Sequence, residues 1–120
     1  PRADTSGCTA ESIAFTNLQN DFDNLNCIVI GISKDNIKKQ AKFREKYNLT
    51  CELGADFEND VCEQFGVWVE KSMYGRKYMG IQRATFLSNN SGIITNVWEK
   101  VKVPGHAEEV LKAAKQLNIQ

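Results

Sequence analysis

Apolar residues recur at Ala10, Ile13, Ala14, Leu18, Phe22 and Leu25, in steps of three and four, which predicts one amphipathic helix over residues 9–25. Glu11 lies in its first turn, where a negative charge suits the helix dipole. The pattern then changes to an unbroken run, Cys27-Ile28-Val29-Ile30-Gly31-Ile32. A run this rich in β-branched residues predicts a central parallel strand buried on both faces. Ser33 and Asp35 are candidate caps for a second helix that carries Ile37, Ala41, Phe43 and Tyr47 at helical spacing. A short strand is expected near 51–53, and a brief helix opened by Asp56 carries Val61 and Phe65 and stops at Gly66. Residues 67–80 are aromatic and punctuated by glycine, and read as an irregular hairpin or long loop. Strands at 83–87 and 93–98 flank Asn89-Asn90-Ser91-Gly92, a tight-turn sequence. After Pro104-Gly105 a last helix carries Ala107, Val110, Leu111, Ala114 and Leu117. Strands alternating with helices predict an α/β layered domain with a late antiparallel hairpin.

Composition narrows the functional classes. The chain has 120 residues, enough for one domain and one core, with 42 % hydrophobic and 25 % charged residues. Fifteen basic residues cancel fifteen acidic ones, so no global charge draws it to nucleic acid or to an anionic membrane. No apolar run approaches the roughly 20 residues of a spanning helix, and no signal peptide opens the chain. The four cysteines, Cys8, Cys27, Cys51 and Cys62, fit neither a small secreted disulfide framework nor the short spacing of a zinc site. The expectation is a reducing, cytoplasmic protein, in which the glycosylation-like tripeptides at Asn48 and Asn89 carry no meaning.

Cys8 carries the chemistry. It sits immediately before the first predicted helix, where exposed N–H groups and the dipole lower a thiol pKa below the ~8.5 of free cysteine. Position alone leaves a nucleophile and a plain capping residue equally admissible. The segment Pro1-Arg2-Ala3-Asp4-Thr5-Ser6-Gly7-Cys8 then matches the peroxiredoxin pattern P-x-x-x-[ST]-x-x-C. Its continuation through Thr9-Ala10-Glu11 resembles the bacterioferritin-comigratory, or peroxiredoxin Q, branch. The resemblance runs on through Gly31-Ile32-Ser33, Lys42-Phe43-Arg44-Glu45-Lys46-Tyr47, Leu53-Gly54-Ala55-Asp56, Gly66-Val67-Trp68, Lys71-Ser72-Met73-Tyr74-Gly75-Arg76, Arg83-Ala84-Thr85-Phe86-Leu87 and Val103-Pro104-Gly105-His106.

The resemblance implies a thioredoxin-like, three-layer α/β/α fold and a thiol peroxidase acting on hydrogen peroxide and organic hydroperoxides, with no metal or organic cofactor. It makes Cys8 the peroxidatic cysteine, with Pro1 shielding the thiolate, Thr5 bonding the peroxide, Arg83 bringing a guanidinium beside the sulfur and Glu11 orienting Arg83. Family members commonly place a resolving cysteine five residues after the first, or in the next helix; these positions hold Ile13 and Arg44 here. That implies a one-Cys cycle reduced by thioredoxin, glutaredoxin or glutathione. An atypical disulfide from Cys8 to Cys62 or Cys51 is the alternative, and Cys27 reads as a small core hydrophobe.

Other residues carry less. His106, the only histidine, would need to stand beside Cys8 with an orienting third group to make a Cys–His hydrolase, which is not the expectation. Lys71, Arg76 and Lys77 with Tyr74 and Tyr78 read as a solvated loop, and Trp68 and Trp98 as core or pocket-rim aromatics. Complete family members carry about forty residues before the Pro1 position, so residues 1–120 are expected to form a single domain lacking its N-terminal strands. The family is monomeric; the open edges left here would favour oligomers. A redox-sensing or holdase-like protein without turnover, or an inactive fragment, are the competing readings.

Overall fold

Backbone pairing organises this chain into three separate two-stranded ladders, each tied to helices that carry the core. The computed structural model describes Ala3 and residues 5–119. In order these are α1 (Ser6–Asn17), α2 (Gln19–Asn24), β1 (Ile30–Ser33), α3 (Ile37–Tyr47), β2 (Glu52–Ala55), α4 (Val61–Gln64), β3 (Trp68–Met73), β4 (Arg76–Ile81), β5 (Thr85–Ser88), β6 (Ile94–Trp98) and α5 (His106–Ile119). β1 and β2 run parallel with α3 between them, while β3–β4 and β5–β6 are antiparallel hairpins.

The first helix begins earlier than its apolar spacing predicts. Thr5 is extended at the N-cap (φ −82°, ψ 157°) and its carbonyl accepts from the Thr9 N–H at 2.9 Å, which places Cys8 inside the first turn rather than ahead of it. The apolar stripe continues past Asn17, but the backbone breaks at Leu18, whose N–H bonds back to the Phe15 carbonyl. The expected single helix is therefore two, α1 and α2, both presenting apolar side chains to one core. For α3 the cap is Asn36, whose side chain accepts from the Lys39 N–H at 2.8 Å, and not Ser33 or Asp35. The helix closes at Asn48 in the left-handed region (φ 52°), a conformation asparagine tolerates.

Residues 67–80, expected to be irregular, form most of a regular hairpin. Tyr74 and Gly75 both take positive φ (52° and 78°), the requirement of a two-residue turn whose twist matches the strands. At the second hairpin, the Asn89 side chain accepts from the Ser91 and Ile93 N–H groups and Gly92 turns with φ 79°.

Two buried clusters hold the elements together. Phe15 and Phe22 pack with Leu87 of β5 and with Ala107, Val110, Leu111 and Ala114 of α5. Cys8 packs with Phe43, Leu49 and Cys51. The expectation of a strand buried on both faces fails for β1 and the residues before it: Ile28, Ile30 and Ile32 are 78 %, 61 % and 44 % exposed. Among the described residues β1 bonds to β2 alone. A cavity of about 330 Å³ opens there, between β1 and β5.

A charged corner fixes the end of β2. Asp56 is 1 % exposed, and its carboxylate accepts from the Val61 and Cys62 N–H groups at the start of α4 and pairs with Lys34 at 3.1 Å. Burial alone would raise its pKa, but these donors outweigh burial and hold it down at about 2. A carboxylate depressed in the folded state stabilises the fold fully above its unfolded value of about 4, and that stabilisation is lost as pH falls from about 4 toward 2. Asp56→Asn should therefore melt at lower temperature than the parent near neutral pH, with the gap narrowing below about pH 3. Melting curves across that range check it; a gap independent of pH would show that the charge is not what stabilises this corner.

Candidate active site

Two chain segments meet at Cys8. α1 carries Cys8 in its first turn and Glu11 one turn further on, not in the first turn as the apolar spacing predicts; three residues apart, the two lie on one helix face. Facing them is Arg83, two residues ahead of β5 rather than at the start of a strand as expected. Its backbone is held from both sides: the Val101 N–H bonds to the Arg83 carbonyl at 3.0 Å, and the Gln82 N–H bonds to the Val67 carbonyl at 2.8 Å. The guanidinium then bridges the helix face, with Nη2 at 3.5 Å from Cys8 Sγ and Nη1 at 2.8 Å from Glu11 Oε2. Both side chains of the ion pair are 20 % exposed, so the pair is largely sheltered from screening.

Burial would lower the Arg83 pKa, but the Glu11 carboxylate and the Cys8 sulfur more than offset it, and the guanidinium stays above its ordinary value. A fixed cation against the sulfur favours thiolate over thiol. At about 4 Å and an effective dielectric near 20, a unit-charge pair is worth on the order of 4 kcal/mol. A helix end is worth roughly 0.3–1 kcal/mol to a charge beside it. The guanidinium is thus the larger influence on Cys8, and the helix start adds to it.

Gly7 belongs to this site as well. A methyl group built at its Cα would come 2.8 Å from Arg83 Nη2, so the missing side chain is the space that the guanidinium occupies. The sequence offered no signal for it, because the apolar spacing starts the helix after Gly7.

The structure brings Cys8, Glu11 and Arg83 together, with Thr5 capping their helix. Pro1 lies outside the described residues. All four cysteines line the cavity between β1 and β5. Cys62 is 3 % exposed, and burial together with its hydrogen bond to Asp56 pushes its pKa up to about 11. Burial also raises Cys51 and Cys27. His106 is buried elsewhere: its Nε2 lies 2.7 Å from Thr85 Oγ1, its ring meets Phe15 and Trp98 edge-on, and burial lowers its pKa.

Residues 1–97 match the model of the AhpC/TSA family. The chain belongs to that family. Within it, the likeness is to peroxiredoxins of the Bcp, or peroxiredoxin Q, kind. Peroxiredoxin Bcp of Bacillus subtilis is 40 % identical over 118 residues, covering 98 % of this chain and 75 % of the relative. Xanthomonas campestris peroxiredoxin Q superposes with a TM-score of 0.93 at 38 % identity, over 98 % of this chain and 75 % of that one. A bacterioferritin comigratory protein of the same organism, studied for alkyl peroxide reduction through trapped-intermediate and ligand complexes, superposes with a TM-score of 0.92 at 37 % identity, over the same shares of the two chains. The AhpC/TSA chain described here is accordingly a peroxiredoxin with the thioredoxin-like fold, a thiol peroxidase by family. No helix among its described residues is long and apolar enough to cross a membrane.

Gly7→Ala tests the fit of the guanidinium. The new methyl must displace Arg83 Nη2 from its place beside the sulfur, so alkylation of Cys8 by iodoacetamide at neutral pH should slow several-fold. Alanine is the better helix former by roughly 1 kcal/mol, so the melting temperature should hold or rise. Unchanged alkylation would mean that the guanidinium moves aside without consequence for the thiolate.

Proposed function

We propose that Cys8 is the peroxidatic cysteine of a one-Cys cycle, and the observation that carries this is the 3.5 Å approach of Arg83 Nη2 to its sulfur. The thiolate attacks the terminal oxygen of ROOH; the S–O bond forms as the O–O bond breaks, and RO⁻ leaves to take up a proton as ROH. Cys8 is left as the sulfenic acid. Arg83 serves twice, first holding the thiolate and then stabilising charge as it moves onto the leaving oxygen. Glu11 fixes the guanidinium through the 2.8 Å bond. Thr5 binds the peroxide oxygens through its hydroxyl. Hydrogen peroxide and small organic hydroperoxides are the substrates.

An external thiol, from thioredoxin, glutaredoxin or glutathione, then reduces the sulfenate. Support for this comes from the other cysteines. Cys62, with its pKa pushed up to about 11 by burial and by Asp56, stays a thiol at neutral pH and attacks poorly. A reducing compartment such as the cytoplasm keeps these external thiols available. A second reading has one observation in its favour: Cys51 belongs to the same buried cluster as Cys8, which makes it the better of the two candidate resolvers.

Intact-mass spectrometry after one equivalent of hydrogen peroxide separates these readings. The parent should gain one oxygen within seconds, trapped by dimedone and lost in Cys8→Ser, while Cys62→Ser and Cys51→Ser behave as the parent. Loss of two hydrogens, abolished in Cys51→Ser, would replace the one-Cys cycle by a Cys8–Cys51 disulfide. Oxidation without turnover in the presence of all three reductants would make the protein a redox sensor, and no oxidation of Cys8 would remove the assignment altogether.

A further inference from the structure

Asp35 takes no part in capping α3, a task that falls to Asn36, and its carboxylate is turned elsewhere. Oδ2 accepts from the Ala3 N–H at 2.6 Å, across 32 positions of sequence, and from the Ser33 hydroxyl at 2.8 Å. The direction of the second bond is determined by its neighbours. Ser33 Oγ already accepts from Gln40 Nε2 at 2.7 Å, and the same amide group reaches the Gly54 carbonyl of β2 at 3.2 Å. Ser33 is therefore left to donate its own hydrogen to Asp35. Ser33 and Gln40 are 6 % and 5 % exposed, so this relay is sheltered from competing water.

We infer that Asp35 is a positioning residue for the peroxidase site, anchoring the segment that leads into α1 to the β1–β2 ladder through the Ala3 amide. Ala3 is two residues from Thr5, the cap of the helix that carries Cys8. Charged acceptors make the stronger hydrogen bonds to backbone N–H, and this one joins the loop to β1 and β2 through Ser33 and Gln40. Cys8 itself is held independently, by its helix and by Arg83. Loss of the Asp35 anchor thus loosens the Thr5 side of the site while leaving the thiolate in place. This rests on the reading of Cys8 as the peroxidatic residue.

The test compares Asp35→Ala and Asp35→Asn in the full chain, with two rates measured on each. Asparagine keeps a carbonyl oxygen that can accept from Ala3 and Ser33; alanine keeps none. Oxidation of Cys8 by hydrogen peroxide should fall about tenfold in Asp35→Ala, as loss of alignment at a reacting centre commonly does, and recover to within about threefold of the parent in Asp35→Asn. Alkylation of Cys8 by iodoacetamide, which needs the thiolate but no aligned peroxide, should stay within about twofold in both. Far-UV circular dichroism and melting curves establish that each variant is folded. Parental oxidation rates in Asp35→Ala overturn the inference, as does an equal loss of oxidation and alkylation, which is the mark of general collapse. Should Asp35→Asn fall as far as Asp35→Ala, the anchor is not the Ala3 bond. If the parent itself does not oxidise at Cys8, it is the peroxidatic reading that fails, and that outcome is distinct from the others.

Discussion

Everything at this site depends on where one guanidinium is held. Arg83 reaches Cys8 Sγ with one nitrogen and Glu11 with another, and the two contacts are possible together because Cys8 and Glu11 lie three residues apart on α1. A guanidinium suits that fork, because separate nitrogens of one planar group donate to the sulfur and to the carboxylate. Glu11 prevents the cation from swinging to solvent, and Gly7 leaves the volume that its nitrogen fills. The backbone bonds of Gln82 and Val101 hold the strand approach from which Arg83 extends. The fold serves this placement: α1 packs on α5 and β5 through Phe15, so the helix and the segment bearing Arg83 share one core.

A second polar corner has a different task. Asp56, Lys34 and Glu63 draw the β1–α3 and β2–α4 connections together, and Lys34 also lies 5.3 Å from the Trp68 ring and donates to the Asn59 carbonyl. This network reaches Cys62, whose N–H bonds to Asp56. Its chemical consequence is for Cys62, kept buried and protonated against Asp56. Two cysteines that line one cavity are thereby given opposite characters, one beside a cation and one beside a carboxylate.

How much of this could be read in advance varies with the kind of information each feature needs. The order of helices and strands was legible because it depends on apolar spacing, and Cys8, Thr5, Glu11 and Arg83 were legible through the family motif. The split at Leu18 was not, since an apolar stripe continues across a backbone break when both pieces face one core. The cap of α3 was misplaced because Ser33, Asp35 and Asn36 are all good capping residues. Which one caps is decided by the long-range bonds of the other two, to Gln40 and to Ala3. Gly7 was invisible for the same reason: its meaning lies in a side chain 76 positions away in sequence. The exposure of Ile28, Ile30 and Ile32 was missed because composition identifies a residue run suited to a covered sheet and says nothing of what covers it.

The central claim is that Arg83, held by Glu11, keeps Cys8 as a thiolate. Its most direct test is the ultraviolet thiolate titration of Cys8, obtained as the difference between each protein and its Cys8→Ser counterpart. The parent should titrate well below free cysteine, Arg83→Gln should move the midpoint up by the largest amount, and Glu11→Gln should move it part of the way. A midpoint unmoved in Arg83→Gln would contradict the account and leave the start of α1 as the only feature favouring the thiolate.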